Sequence, residues 1–187
     1  MKKPIVVNLF GAPGSGKSTG AAFIFSQLKM KNVNCELITE YAKDKTWENN
    51  AAALECQEYI FGKQSFRMKR CRDKVDVIVT DSPLPLGIFY NTNPILGEHY
   101  EQLVLDVFNS YENLNYCLMR VKPYNPIGRN QTKEESDAIG DQIVDFLEDK
   151  KIPYTHGVGA DEFYDSIITD VLFLLKSREG EDVQRPD

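Results

Sequence analysis

The sequence predicts a three-layer α/β/α domain on a central, mostly parallel five-stranded sheet, and three observations carry that expectation. Short apolar runs alternate with helical patterns along the chain, as they do where parallel strands are joined by crossover helices. A glycine-rich segment, Gly11-Ala12-Pro13-Gly14-Ser15-Gly16-Lys17-Ser18, stands between the first apolar run and the first helical one. Glu40, Asp81 and Arg120 fall at or just beyond the ends of later apolar runs, on the sheet edge where such folds collect their ligands.

Ile5 to Phe10 reads as the first strand. Ala21, Ile24, Phe25 and Leu28 follow at i, i+3, i+4 and i+7, giving an amphipathic helix over residues 17–31. Cys35-Glu36-Leu37-Ile38-Thr39 is a second short strand, ending in Glu40-Tyr41. A polar stretch from about Asp44 to Asn50 precedes one long helix over residues 51–72. Val75 to Thr80 is the clearest buried strand, stopped by Asp81-Ser82-Pro83. A Pro-, Asn- and Gly-rich loop covers 83–97, and Tyr100, Leu103, Val104, Val107, Phe108 and Tyr111 trace the next apolar stripe. Tyr116 to Val121 is the fourth strand. Thr132 with Glu135 three residues on forms a capping box, opening a helix carried by Ile139, Ile143, Phe146 and Leu147. A fifth strand is expected near Tyr154, and a last helix carries Phe163, Ile167, Ile168, Val171, Leu172 and Leu175. These elements make a single domain over 1–177, with a lid at about 122–133 and a flexible charged tail at 178–187.

With 187 residues, 42% hydrophobic and 27% charged, the chain has the length and composition of one globular domain. The apolar run after Met1-Lys2-Lys3-Pro4 is too short for a signal peptide, and no stretch approaches the length of a membrane span. Cys35, Cys56, Cys71 and Cys117 lie far apart without C-x-x-C spacing, which fits free thiols in a cytoplasmic protein. The net charge of −6 excludes indiscriminate binding to nucleic acid. It leaves room for a local basic face, and Lys63, Arg67, Arg70 and Lys74 recur at helical spacing. Trp47, Tyr41 and Tyr59 could stack on a base or simply pack. His99 and His156 have no ligand spacing and receive no role. No obligate protein partner is evident, and a homodimer is compatible with the sequence.

The glycine-rich segment fits G-x-x-x-x-G-K-[ST] between a strand and a helix, the phosphate-binding P-loop. Many N–H donors must converge on a polyphosphate, which only backbone free of Cβ crowding can arrange. Residues 11–19 (Gly11, Ala12, Pro13, Gly14, Ser15, Gly16, Lys17, Ser18, Thr19) are therefore the expected nucleotide-binding set. Lys17 would reach the β- and γ-phosphates of ATP and Ser18 would hold Mg²⁺ at the positive end of the helix.

Among proteins with such a loop, a motor ATPase would place a water-polarising Glu after the strand-end Asp. Here Ser82 follows Asp81. A guanine-reading N-K-x-D element is missing. Transfer to a bound acceptor remains, which calls for a carboxylate at the acceptor hydroxyl, a metal holder and cations over the moving phosphoryl. Asp81 is a candidate for the metal or the acceptor, and Glu40 is the alternative base. Arg120, Lys122, Arg129 and Lys133 bracket the lid, where closing cations would stabilise charge and exclude water. Arg129 is the strongest of these. A hydrolytic P-loop protein acting as an assembly factor is the reading from a different class.

At Glu40-Tyr41-Ala42-Lys43-Asp44, at Thr80-Asp81-Ser82-Pro83, and above all from Arg120 to Pro126 and Gly128 to Thr132, the sequence resembles a bacteriophage family of small P-loop kinases. That family is related to nicotinamide-riboside and thymidylate-type kinases, and some members are 5-hydroxymethyldeoxyuridine DNA kinases of thymidine hypermodification. The likeness spans about residues 4 to 157. It implies ATP and Mg²⁺ at Gly14, Gly16, Lys17, Ser18 and Thr19, acceptor contacts near Glu40, chemistry at Asp81 and lid cations at Arg120 and Arg129. The sequence departs from nucleoside and thymidylate kinases at Ser82, where those usually carry an Arg. The alternative acceptors are a free nucleoside, a nucleoside monophosphate or nicotinamide riboside.

Overall fold

In a computed structural model, which describes residues 3–121, 123–125, 127 and 132–183, five parallel strands form one sheet in the order β2-β3-β1-β4-β5. The strands are β1 (Ile5–Phe10), β2 (Cys35–Ile38), β3 (Val77–Thr80), β4 (Glu112–Met119) and β5 (Thr155–Val158). Strand β1 lies between β3 and β4. The connection out of β3 therefore crosses β1 to reach β4, and a crevice opens above the carboxyl ends of the central strands.

The period-two pattern of β1 sends its side chains into two cores. Ile5, Val7 and Leu9 pack with Ala21, Ile24 and Leu28 of α1 (Lys17–Met30) and with Tyr164, Ile167 and Val171 of the last helix. Val6 and Phe10 face the opposite layer, with Met68, Val104, Phe108, Ile143 and Leu147. Both faces of β1 are buried along its whole length, as a central parallel strand requires. One polar residue interrupts the second face. Asn8 donates to the side-chain oxygens of Asn113 (2.9 Å) and Asn115 (3.0 Å) on β4, and Asn115 donates on to the Pro153 carbonyl. The register pairs Asn8 with Asn115.

Two expectations for the segment after β2 are corrected. Residues 41–47 form a helix, α2 (Tyr41–Trp47), where the sequence marks no element, only a polar stretch from about Asp44. Its stability comes from tertiary partners: the Tyr41 N–H donates to Gln64 Oε1 at 3.0 Å, and Asp44 pairs with Arg67 at 2.6 Å. The expected long helix is two, α3 (Ala51–Glu55) and α4 (Gln57–Lys69), broken at Cys56. Gln57 stabilises the break by donating its side-chain amide to the Leu54 carbonyl (2.7 Å), and Tyr100 donates to the Gln57 carbonyl (3.1 Å).

A short helix, α5 (Leu86–Phe89), sits within the loop after β3, and α6 (Gly97–Asn109) follows. Strand β4 begins four residues before the expected Tyr116 and ends at Met119, so Arg120 lies just past it. The capping box is present on α7 (Lys133–Asp149): Thr132 Oγ1 accepts from the Glu135 N–H, and the Glu135 carboxylate accepts from the Thr132 N–H. The last helix, α8 (Asp161–Val183), extends six residues into the 178–187 segment that was expected to fray; residues 184–187 lie outside the described residues. Among the described residues no helix is long and apolar enough to cross a membrane.

Candidate functional site

The segment after β1 turns on three glycines with positive φ, Gly11, Gly14 and Gly16. Gly16, at +100°, is the residue immediately before α1 and has no room for a side chain, since a Cβ would lie 2.6 Å from the Tyr164 hydroxyl. No side chain caps α1. Its first-turn N–H groups therefore keep their donors for a ligand at the positive end of the helix dipole. In contrast with α7, this helix start is left open.

Lys17 folds back over the loop and donates to the carbonyls of Gly11 (2.7 Å) and Ala12 (2.9 Å). Its ammonium thus lies above the turn that an anion would enter. Ser15 is buried, and its hydroxyl has no partner among the described residues.

Beside the loop is a cavity of about 740 Å³. Pro13, Gly14, Gly16, Lys17, Ser18 and Thr19 form one wall, and Glu40, Asp81 and Ser82 form another. The rest of the wall comes from α2 through α5, with Ala42, Lys43, Thr46, Leu54, Gln57, Ile60, Leu86 and Tyr90 among its residues. Tertiary structure thus unites Lys17, Ser18, Glu40 and Asp81 at one opening, from loops that follow three different strands. Gly11, Ala12 and Ser15 lie behind that surface, buried in the turn.

Asp81 is 4% exposed, and its Oδ1 accepts from the Glu40 N–H at 3.0 Å. The Thr80 hydroxyl fixes the same junction by donating to the Ile38 carbonyl (2.8 Å) and accepting from the Ser82 N–H (3.1 Å). The Glu40 backbone and the Asp81 carboxylate are therefore tied together across the β2–β3 edge. Burial raises the Glu40 carboxyl above its ordinary value; the Lys17 ammonium opposes that shift, and the Asp81 carboxylate adds to it. The oxygen donors Ser18 and Asp81 suit a hard cation such as Mg²⁺, which takes few protein ligands and completes its shell with phosphates and water. No cluster of three or more His, Cys, Asp or Glu that could hold a metal by itself occurs among the described residues.

Arg120 is engaged with α7. It pairs with Asp137, donates to Ser136 Oγ at 3.3 Å, and lies 5.1 Å from the Tyr124 ring centre. Lys133 pairs with the same Asp137 at 2.8 Å. Arg129 and Lys122 lie outside the described residues. Pro123, Asn125 and Ile127 of the expected lid line the cavity. Tyr41 and Tyr59 pack edge to face with their hydroxyls 2.6 Å apart, and Lys45, Lys63 and Arg67 lie over their rings. Trp47 is exposed on α2.

Sequence reasoning missed Tyr164, Ser136 and Gln57. The apolar stripe of α8 would have found Tyr164 at its buried edge, since Tyr164 is buried where the neighbouring Phe163 is only partly so. No local signal marks the other two.

Residues 6–159 match the AAA domain family AAA_28, and the chain belongs to that family. Its fold is that of a deoxyadenosine kinase from M. mycoides, solved with products dCMP and a flexible dCDP bound. The TM-score is 0.51 at 14% identity, with 92% of this chain and 99% of that chain covered. A variant of the Mycobacterium tuberculosis APS kinase CysC aligns with a TM-score of 0.43 at 17% identity, covering 79% and 99%. No curated protein matches the sequence.

Proposed function

We propose that the protein is an ATP-dependent phosphotransferase that moves the γ-phosphoryl group to a hydroxyl on a nucleotide-like acceptor. The observation that carries this is the convergence of Lys17, Ser18, Glu40 and Asp81 on one cavity whose far wall is built by α2 to α5. A loop serving hydrolysis alone has no need of that second lobe. The fold shared with a deoxyadenosine kinase agrees with this reading.

In the proposed reaction the acceptor oxygen forms its bond to the γ-phosphorus as the bond from phosphorus to the bridging oxygen breaks and ADP leaves. Glu40 takes the hydroxyl proton. It stands at the end of β2, two strands from the loop, next to the lobe formed by Ala42 and Lys43. Asp81, on the strand adjacent to β1, serves the metal side with Ser18. Mg²⁺ bound there would offset phosphate charge. Lys17 exchanges the Gly11 and Ala12 carbonyls for phosphate oxygens, and Arg120 and Arg129 act as lid cations.

The charged lining favours an uncharged reacting group. Among the described residues it holds the carboxylates Glu40, Glu55 and Asp81 against the ammoniums of Lys17 and Lys43. A phosphate on the acceptor, whether of a nucleoside monophosphate or of a DNA strand, would add negative charge to that field. The resemblance at the Arg120–Thr132 segment then directs the finer reading, the 5-hydroxymethyl group of 5-hydroxymethyldeoxyuridine in phage DNA. A free nucleoside is the second reading, favoured by the net charge of −6, which does not draw a polyanion.

An acceptor screen with γ-³²P-ATP separates them. Hydroxymethyluracil-containing DNA, unmodified DNA and a panel of free nucleosides and monophosphates are offered in parallel. Label on the modified DNA alone is the expected result; label on free nucleosides alone removes the DNA acceptor.

A further inference from the structure

The phosphate loop can present its N–H groups to an anion only if its carbonyls turn away and find other partners. Two of those carbonyls are held by side chains from opposite layers of the fold. Ser136, fully buried in the first turns of α7, donates its hydroxyl to the Pro13 carbonyl at 2.6 Å. Tyr164, 1% exposed on α8, donates to the Gly16 carbonyl at 3.0 Å. The Gly16 carbonyl also accepts the first helical bond of α1, from the Gly20 N–H at 2.8 Å.

The surroundings of both contacts are built for close approach. On α7, Ser136 and Gly140 lie one turn apart, on the face that carries Ile143 and Leu147 into the core. A Cβ on Gly140 would sit in ordinary van der Waals contact with the Ala12 Cβ, at 3.6 Å, so this side of the loop is packed without being strained. On the other side, the Tyr164 ring occupies the space beside Gly20, where a Cβ would lie 2.4 Å from it. Gly159, at the turn into α8, is as tight: a Cβ there would lie 2.1 Å from the Ser15 carbonyl oxygen. Burial also raises the Tyr164 phenol above its ordinary value, so it remains a donor through neutral pH. Ser136 has a second contact, accepting from Arg120 at 3.3 Å.

We propose that Tyr164 and Ser136 are positioning residues of the nucleotide site, pinning the Gly16 and Pro13 peptides so that the loop is shaped before the triphosphate arrives. Lys17 must give up its carbonyl contacts when phosphate enters, whereas the two hydroxyl contacts can persist through binding. The inference rests on the reading of the loop as a nucleotide site. Neither residue lines the cavity. Their effect is on affinity, because a loop that must be ordered on binding loses free energy to that ordering.

The test uses the full chain, with Tyr164→Phe, Ser136→Ala and Ser136→Thr, titrated calorimetrically with the non-hydrolysable analogue AMPPNP and Mg²⁺. Thermal unfolding of each unliganded protein is recorded in parallel. Tyr164→Phe and Ser136→Ala should each weaken AMPPNP binding about tenfold, the effect of losing one buried hydrogen bond, and Ser136→Thr should restore most of it. Variants that unfold at lower temperature yet bind with wild-type affinity would overturn the proposal, leaving a purely structural role. Equal losses for Ser136→Ala and Ser136→Thr would overturn the part assigned to the Ser136 hydroxyl. If Ser136→Ala does not fold, Tyr164→Phe, which keeps the packed ring, decides the question alone. Failure of the wild type to bind AMPPNP is a different result, and it removes the triphosphate reading itself.

Discussion

Glu40 carries the most consequential electrostatics of the site. Burial sets its carboxyl above the ordinary value, with Lys17 pulling it down and Asp81 pushing it up. A carboxyl raised on folding binds its proton more tightly in the native than in the unfolded state. Stability therefore falls as pH rises from the ordinary glutamate range, about 4.3, through the raised value, and the full penalty applies above it. Glu40→Gln should thus be more stable than the wild type at pH 8, and this advantage should vanish below the ordinary range. Urea denaturation across pH, without nucleotide and with a chelator present, measures this. The same substitution should lower transfer by about a hundredfold or more if Glu40 takes the acceptor proton. Lys17, Ser18, Glu40 and Asp81 were legible in the sequence because a motif or a strand end marks each of them. The loop contacts of Tyr164 and Ser136 were not, because they span 148 and 123 residues: the α8 stripe marks Tyr164 as buried without marking what it touches, and nothing local marks Ser136.

Among the elements, α7 shows how a well-marked helix and an unmarked site residue can coexist. Its capping box was readable from Thr132 and Glu135, and both hydrogen bonds of the box are present. Thr132→Ala should cost about 1 kcal/mol of stability, measurable as a lower urea midpoint with unchanged slope. Helix α2 was the opposite case. Its polar residues carry no apolar stripe, and none of them is buried. It exists because Gln64 receives its first N–H and Arg67 both pairs with Asp44 and stacks on Tyr41. The Cys56 break was equally hidden, since its supports are the Gln57 and Tyr100 hydrogen bonds. These two departures shape the far lobe of the cavity, so the wall to which the proposed reaction assigns the acceptor was the least legible. The phosphate-loop wall depends on the strand–loop–helix unit, and that unit is local.

For the molecule as a whole, alternation of strands and helices fixes the class, but the strand order depends on which crossovers skip a neighbour. That choice is made by packing. Placing β1 between β3 and β4 lets Asp81 and the phosphate loop share one crevice while β2 carries Glu40 to its edge. Helices α7 and α8, from the two opposed layers, meet the same loop at Pro13 and Gly16. In the proposed reaction this arrangement transfers a phosphoryl group to a hydroxyl and withholds it from water. The most direct measurement is the fate of ³²P from γ-labelled ATP, offered with Mg²⁺ and hydroxymethyluracil DNA plus free nucleosides, resolved into organic phosphate ester and inorganic phosphate. Most label should enter an acid-stable ester, ADP should form only when an acceptor is present, and Asp81→Asn should abolish both. Steady release of inorganic phosphate at the same rate with and without acceptor, and no labelled ester, would contradict the proposed reaction.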